Sequence, residues 1–119
     1  MGRSGNPSEK SEQIQLCRRL ERAGLDFFAV PNGGKRGWVE GALLVSEGVQ
    51  SGVSDLIIVT PPPGLVMPTA LEMKRVGGDE PTDAQRAWLK RFQGYDWTTG
   101  VGFGWRDALR VLRELGYRL

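Results

Sequence analysis

Residues 52–75 read GVSDLIIVTPPPGLVMPTALEMKR and contain two short apolar runs separated by a proline-rich break. The first run, Leu56–Val59, is apolar at every position, which is typical of a strand covered on both faces. Pro61–Gly64 cannot continue a strand, and the chain resumes an extended pattern from about Thr69 to Lys74. The stretch therefore predicts a β-hairpin.

Charged side chains stand where the two predicted strands begin and end. Because side chains alternate along a strand, Glu72 and Lys74 share one face of the second strand. If the strands pair with Asp55 beside Glu72, two carboxylates repel each other unless a cation lies between them. Mg²⁺ prefers such oxygen ligands. The alternative is an exposed Glu72–Lys74 pair on an edge strand with Asp55 capping a loop, since short acidic motifs also recur by chance.

The hairpin residues resemble the VRR-NUC domain of the PD-(D/E)XK nuclease superfamily, in its stand-alone, phage-type members. The matching segments are Gly52–Leu56, Leu71–Arg75, Gln85 with Trp88, and, upstream, Val30–Arg36 and Glu47–Val49. The resemblance extends over nearly the whole chain.

One motif position departs from this family. Ser54 stands where the family usually has a proline directly before the aspartate. Proline would fix the approach to the strand, whereas serine can bond its own backbone. We therefore expect an altered turn with the Asp55 ligand retained.

The resemblance implies an α/β fold with a restriction-endonuclease-like αβββαβ core, a mixed central sheet flanked by helices. We expect a flexible N-terminus at residues 1–7 and, from the chain length, a single nuclease domain at residues 8–119. The implied activity is that of a metal-dependent DNA endonuclease, a homodimer that cleaves branched or Holliday-junction-like DNA in phage replication or repair. The alternatives are a non-catalytic nucleic-acid-binding module of the same fold and a protein that contacts only other proteins.

The resemblance also implies the site residues. The catalytic set is Asp55, Glu72, Lys74 and Gln85. Mg²⁺ or Mn²⁺ would be held by Asp55, Glu72, the backbone carbonyl of Met73 and, directly or through water, Glu9. Phosphate or other nucleic-acid contacts would come from Asn32, Lys35, Arg36 and Arg75.

The first helix supplies the remaining acid. Residues 8–23 predict a helix that ends at Gly24. The superfamily generally brings a glutamate from this helix to the metal. Glu9 is favoured because it falls near the apolar stripe of the helix, and Glu12 remains the alternative. Acids in a first turn also simply favour the helix dipole.

Five further elements complete the predicted order. They are a strand at Leu25–Val30, a helix at Trp38–Glu47, a helix from Thr82 or Asp83 to about Phe92, a strand at Trp97–Phe103 and, at the end, a helix at Arg106–Leu115. Gly100 and Gly102 weaken the last strand pattern. Close packing of another element against them would explain both glycines.

Composition excludes several chemistries. The 119 residues carry 16 basic and 14 acidic side chains, so a net charge of +2 does not by itself require a nucleic-acid partner. The chain has no histidine, and Cys17 is its one cysteine. Histidine-dependent hydrolases, cysteine-rich zinc sites and an intrachain disulfide are therefore excluded, which leaves carboxylate and lysine chemistry.

The lengths of the apolar runs bear on the cellular location of the protein. No run in the sequence approaches membrane-spanning length, and the first residues lack an apolar signal region. We therefore expect a cytoplasmic protein, in the host cytoplasm if phage-encoded, without a membrane partner or a small-molecule organic cofactor.

Overall fold

A four-stranded mixed sheet lies at the centre of this computed structural model, which describes residues 5–31 and 43–119. The elements in chain order are α1 (Glu9–Arg22), β1 (Phe27–Ala29), β2 (Leu56–Ile58), β3 (Thr69–Lys74), α2 (Asp83–Gly94), β4 (Thr98–Phe103) and α3 (Trp105–Glu114). This is the predicted αβββαβ order followed by the predicted last helix. Residues 43–46 are helical, and the rest of the predicted helix before Leu43 lies outside the described residues.

The predicted hairpin is confirmed. β2 and β3 are antiparallel, with Leu56 opposite Leu71 and Ile58 opposite Thr69. All three residues of β2 are buried, as expected for a strand covered on both faces. β3 also pairs with β4, in parallel, so it lies inside the sheet in the order β1-β2-β3-β4. The alternative that placed Glu72 and Lys74 on an exposed edge strand is therefore wrong.

Helices cover both faces of the sheet. The main core contains apolar side chains from α1, α3 and one face of the hairpin: Leu16, Leu20, Leu56, Ile58, Leu71, Met73, Leu109 and Leu112. α2 packs against β3 and β4. Its Gln85 side chain bonds Lys74, whose side chain points away from that core. Burial of the core face of β3 therefore directs Glu72 and Lys74 to the α2 side. Across the described residues, none of the helices is long and apolar enough to span a membrane.

The glycines of β4 allow close packing of α3, as predicted. A Cβ added at Gly102 would lie 2.5 Å from the Cβ of Ala108, and one added at Gly100 would lie 2.6 Å from a methyl carbon of Val111. Both distances are far below van der Waals contact. Any larger residue at either position would push α3 away from the sheet.

Local chemistry sets the ends of α1. The Ser8 hydroxyl accepts a hydrogen bond from the Ser11 N–H at 3.1 Å, which satisfies one free donor of the first turn. Gly24 follows the helix with φ of 74°, a conformation that glycine adopts without strain. In the segment predicted to be flexible, Asn6 donates a side-chain hydrogen bond to the Val76 carbonyl at 2.8 Å.

Hydroxyl groups join the C-terminal tail to the end of the sheet remote from Lys74. The Tyr117 hydroxyl donates to the Thr60 carbonyl at 2.7 Å and shares a second hydrogen bond of 2.8 Å with the Thr69 hydroxyl. Thr69 also bonds the Thr98 hydroxyl of β4. Tyr117 is only 4% exposed, so these groups depend on one another for hydrogen bonds.

We expect Tyr117→Phe to lower the free energy of unfolding by about 1–2 kcal/mol, because the Thr60 carbonyl loses its donor and the Thr69 hydroxyl loses one of its two hydrogen bonds. Urea denaturation followed by circular dichroism measures the change. Tyr95→Phe is the matched control, since Tyr95 is 75% exposed. Equal stability of the two variants would contradict the structural role of the Tyr117 hydroxyl.

Candidate active site

Asp55 and Glu72 lie opposite each other at one end of the hairpin. Leu56 pairs with Leu71 in antiparallel register, so the next pair along the two chains is Asp55 with Glu72. Asp55 Oδ2 accepts a hydrogen bond from the Met73 N–H at 2.7 Å, which holds the carboxylate against β3. The pairing on which the predicted site depends is therefore present.

The Glu72 carboxyl group is buried in an unfavourable environment. Its residue is 1% exposed, and Oε1 has no hydrogen-bond partner among the described residues. Burial raises the pKa of Glu72 to about 9, helped by a hydrogen bond with Asp55 and by the negative charge of Asp55, while Lys74 acts in the opposite direction. A buried carboxylate beside a second one lowers stability unless a cation compensates.

Gln85 holds the Lys74 ammonium group. Lys74 Nζ donates to Gln85 Oε1 at 2.9 Å, and the same oxygen accepts from the Thr82 N–H at 2.8 Å. Because both partners are donors, the atom between them must be the amide oxygen. The amide nitrogen of Gln85 therefore remains as a donor beside Lys74.

Gln85 has a second role at the start of α2. The Thr82 hydroxyl accepts from the Gln85 N–H at 3.2 Å and completes a capping box. The spacing Thr-x-x-Gln is the sequence signal of such a box, so this role was readable before the structure. The hydrogen bond between Gln85 and Lys74 joins two different elements, and no local sequence pattern predicts it.

The two acids of α1 have different surroundings. Burial raises the pKa of Glu9, as does the charge of Asp55, while Lys74 lowers it, so Glu9 lies within electrostatic reach of the site. Glu12 is 6% exposed, and its Oε1 accepts from the Trp105 N–H at 3.0 Å. Glu12 thus satisfies a free donor at the start of α3, a partner that its sequence position did not reveal.

Ser54 does not make the backbone hydrogen bond that the sequence suggested. Its residue is fully buried, and its hydroxyl has no hydrogen-bond partner among the described residues. The turn instead uses Gly52, whose φ is 85°. A Cβ at Gly52 would lie 2.7 Å from the backbone of Ala84 in α2. A glycine therefore makes both the turn and the close contact, and the predicted hydrogen bond from serine to its own backbone is absent among the described residues.

Most of the residues predicted to contact nucleic acid cannot be placed relative to the site. Asn32, Lys35 and Arg36 lie outside the described residues. Arg75 is exposed directly after β3, next to Lys74. One of the four positions is thus placed beside the site.

Among the described residues, few side chains near Asp55 and Glu72 can act as metal ligands. Within residues 5–31 and 43–119, no three acidic or cysteine side chains converge closely enough to hold a metal ion by themselves. A cation at this site would rely on the Asp55–Glu72 pair together with main-chain or water oxygens. Mg²⁺ fits such a set because it binds one or two carboxylates and keeps several waters, and Mn²⁺ accepts the same oxygen ligands.

Comparison with known proteins identifies the family. The sequence profile of the VRR-NUC domain matches residues 20–102. The chain belongs to the VRR-NUC domain family. The matched segment includes Asp55, Glu72, Lys74 and Gln85, and Glu9 lies before it. Members of this family are generally nucleases, so the VRR-NUC fold seen here is of nuclease type.

A solved structure supports the VRR-NUC fold. A chain described as "VRR_NUC domain protein" superposes with a TM-score of 0.76 at 20% identity, over 94% of this chain and 93% of that chain. At this identity the likeness concerns the fold alone. A search of curated proteins finds no match.

The Glu72 environment predicts a pH dependence of stability in EDTA. A raised pKa means that the protonated form stabilises the folded state. This contribution is complete below about pH 4.5 and is lost as the pH rises towards 9. Glu72→Gln is neutral throughout, so we expect it to be more stable than wild type near pH 9, by more than about 2 kcal/mol.

Thermal and urea unfolding at several pH values measure this difference. Glu80→Gln is the control, because Glu80 is exposed. If the stability difference between Glu72→Gln and wild type stays constant over this pH range, the buried carboxyl group is not perturbed as described.

Proposed function

We propose that this VRR-NUC protein is a metal-dependent DNA endonuclease that hydrolyses phosphodiester bonds. The observation that supports the proposal most directly is the buried Glu72 carboxyl group beside Asp55, with one oxygen unpartnered within residues 5–31 and 43–119. Folding gains nothing from two adjacent carboxylates in the absence of a cation. A metal-binding role explains why they stand on paired strands.

Asp55 and Glu72 would hold Mg²⁺ or Mn²⁺, with a further oxygen from the Met73 carbonyl and a contact from Glu9 through water. When bound, the cation lowers the pKa of a coordinated water and neutralises negative charge on the phosphate. The Met73 N–H bond to Asp55 Oδ2, at 2.7 Å, keeps one carboxylate oriented before any cation arrives. Such preorganisation reduces the cost of assembling the site.

Lys74 and Gln85 would act on the phosphate and the attacking water. The 2.9 Å bond to Gln85 restricts a side chain that otherwise has many rotamers, so the Lys74 ammonium group is placed in advance. From that position it stabilises charge that develops on a phosphate oxygen or orients the water. The amide nitrogen of Gln85, which makes no hydrogen bond within the described part of the chain, would supply a second donor to the same region.

The finer substrate follows from the resemblance to stand-alone, phage-type members. We propose cleavage of branched or Holliday-junction-like DNA in phage replication or repair by a homodimer. Two-fold symmetry would present one active site to each of two strands. The second candidate, a non-catalytic DNA-binding module, is favoured by one observation: in the described part of the chain, no third acid converges on the pair.

We expect Lys74→Ala to reduce cleavage at least about 100-fold, because it removes a preplaced cation from the charge that develops in the transition state. The assay uses labelled four-way junction, flap and linear duplex DNA with Mg²⁺, Mn²⁺ or EDTA. EDTA is expected to abolish cleavage by wild type. Arg18→Ala, which removes an exposed cation of α1, is the control and should cut normally.

Binding of the same DNA by gel shift separates the two candidates. If wild type and Lys74→Ala both bind DNA and neither cuts it with any metal, the protein is a binding module and the nuclease proposal is wrong.

The acids of α1 provide a further test. We expect Glu9→Gln to weaken Mn²⁺ binding and cleavage about 10-fold or more, as for a group that contacts a metal through water, while stability is kept. Glu12→Ala should instead lower stability by about 1–2 kcal/mol, since the Trp105 N–H loses its acceptor, and should leave Mn²⁺ affinity unchanged. Calorimetric Mn²⁺ titration and urea unfolding give both readouts. The opposite pattern would make Glu12 the ligand.

A further inference from the structure

A groove of about 560 Å³ is lined in part by α2, the helix that carries Gln85. Its lining includes Gln50 from the loop before Asp55 and, from α2 to the start of β4, Trp88, Arg91, Phe92, Tyr95 and Trp97. These six residues are termed the aromatic groove. None of them is acidic, and four are aromatic.

The rings of the aromatic groove support one another. Phe92 stacks on Trp97 with centroids 4.5 Å apart and an interplanar angle of 20°, and the Trp88 ring lies 5.6 Å from Phe92. All three residues are half-buried, whereas Tyr95 is 75% exposed. The rings therefore pack against one another, and each ring is only partly buried, so aromatic surface remains exposed to solvent.

Charge and shape together indicate the ligand. The Arg91 guanidinium lies 4.8 Å from the centroid of the Trp88 ring, which holds a positive charge at the groove wall. A matching ligand has a flat π-face together with negative charge nearby. An unpaired nucleotide has both, because its base stacks on aromatic side chains and its phosphate attracts the cation.

The groove lies further along the helix whose first turn carries Gln85. Gln85, Trp88 and Phe92 follow each other at spacings of three and four residues, so they lie along one stripe of α2. From Gln85 to Arg91 the helix rises about 9 Å at 1.5 Å per residue. That length corresponds to at most about two or three nucleotides, because each advances roughly 3.4 Å in a duplex and further in an unpaired strand. A strand with its phosphate at Lys74 can therefore reach the groove.

We infer that the aromatic groove binds an unpaired nucleobase of the DNA strand that is cut, a few nucleotides from the reacting phosphate. This inference rests on the proposed nuclease function and specifies its substrate class. In a duplex both faces of a base are stacked on neighbouring bases, so only flaps, loops or opened junction arms supply a free face. The groove thus selects DNA with unpaired nucleotides next to the cleaved bond.

The test measures binding in EDTA, where no cleavage occurs. Fluorescence anisotropy compares a labelled oligothymidylate with an abasic strand of the same length, which has the same phosphates and no bases. Wild type is expected to bind the thymidylate at least about fivefold more tightly, the lower limit for stacking of one base. Tyr95→Ala and Trp88→Leu should each reduce that preference, with unchanged affinity for the abasic strand.

Two controls separate stacking from general damage. Tyr95→Phe keeps the ring and should restore the preference. Phe28→Ala removes an exposed aromatic residue of β1, outside the groove, and should bind like wild type. Thermal unfolding verifies that each variant is folded.

Each other outcome has a distinct meaning. If wild type binds both strands equally, or if neither groove variant reduces the preference, the inference is wrong whether or not the protein cuts DNA. If it prefers thymidylate yet never cuts, the nuclease proposal fails and the groove assignment stands. If Tyr95→Ala changes the mass in sedimentation equilibrium and leaves the preference intact, the groove joins two copies of the chain.

Discussion

Repulsion between two carboxylates is the constraint on which the candidate site depends. Antiparallel pairing brings Asp55 opposite Glu72, and Glu72 is only 1% exposed, so water screens its charge poorly. The fold tolerates this because Leu71 and Met73 anchor the other face of β3 in the core. Hydrophobic burial on one face thus holds an electrostatically unfavourable pair on the other, which is where a cation would act.

The start of α2 links helix formation to the chemistry of this pair. A capping box needs an acceptor for the Thr82 N–H, and the Gln85 oxygen that provides it also accepts from Lys74. One amide oxygen therefore fixes the helix start and the position of the ammonium group. Such sharing makes the site depend on how α2 docks, and the contact between Gly52 and Ala84 sets that docking close to the loop before Asp55.

The same helix extends from the candidate site towards the aromatic groove. Its first turn holds Lys74 through Gln85, and its later turns carry Trp88, Arg91 and Phe92. Successive turns of one rigid helix would then position the catalytic lysine and bind the base. Rigid placement of this kind keeps the distance between the reacting phosphate and the bound base constant, which is what selection by DNA structure requires.

The sequence by itself determined the elements whose signals are local. The proline break predicted the hairpin, period-two alternation placed Glu72 and Lys74 on one face, and the glycines of β4 predicted close packing. Only the tertiary structure decided that Glu12 bonds the start of α3, that the Ser54 hydroxyl has no hydrogen-bond partner among the described residues, and that Lys74 meets Gln85. Alternation tells which side chains share a face, but burial and pairing depend on elements distant in the chain, and no local pattern encodes their docking.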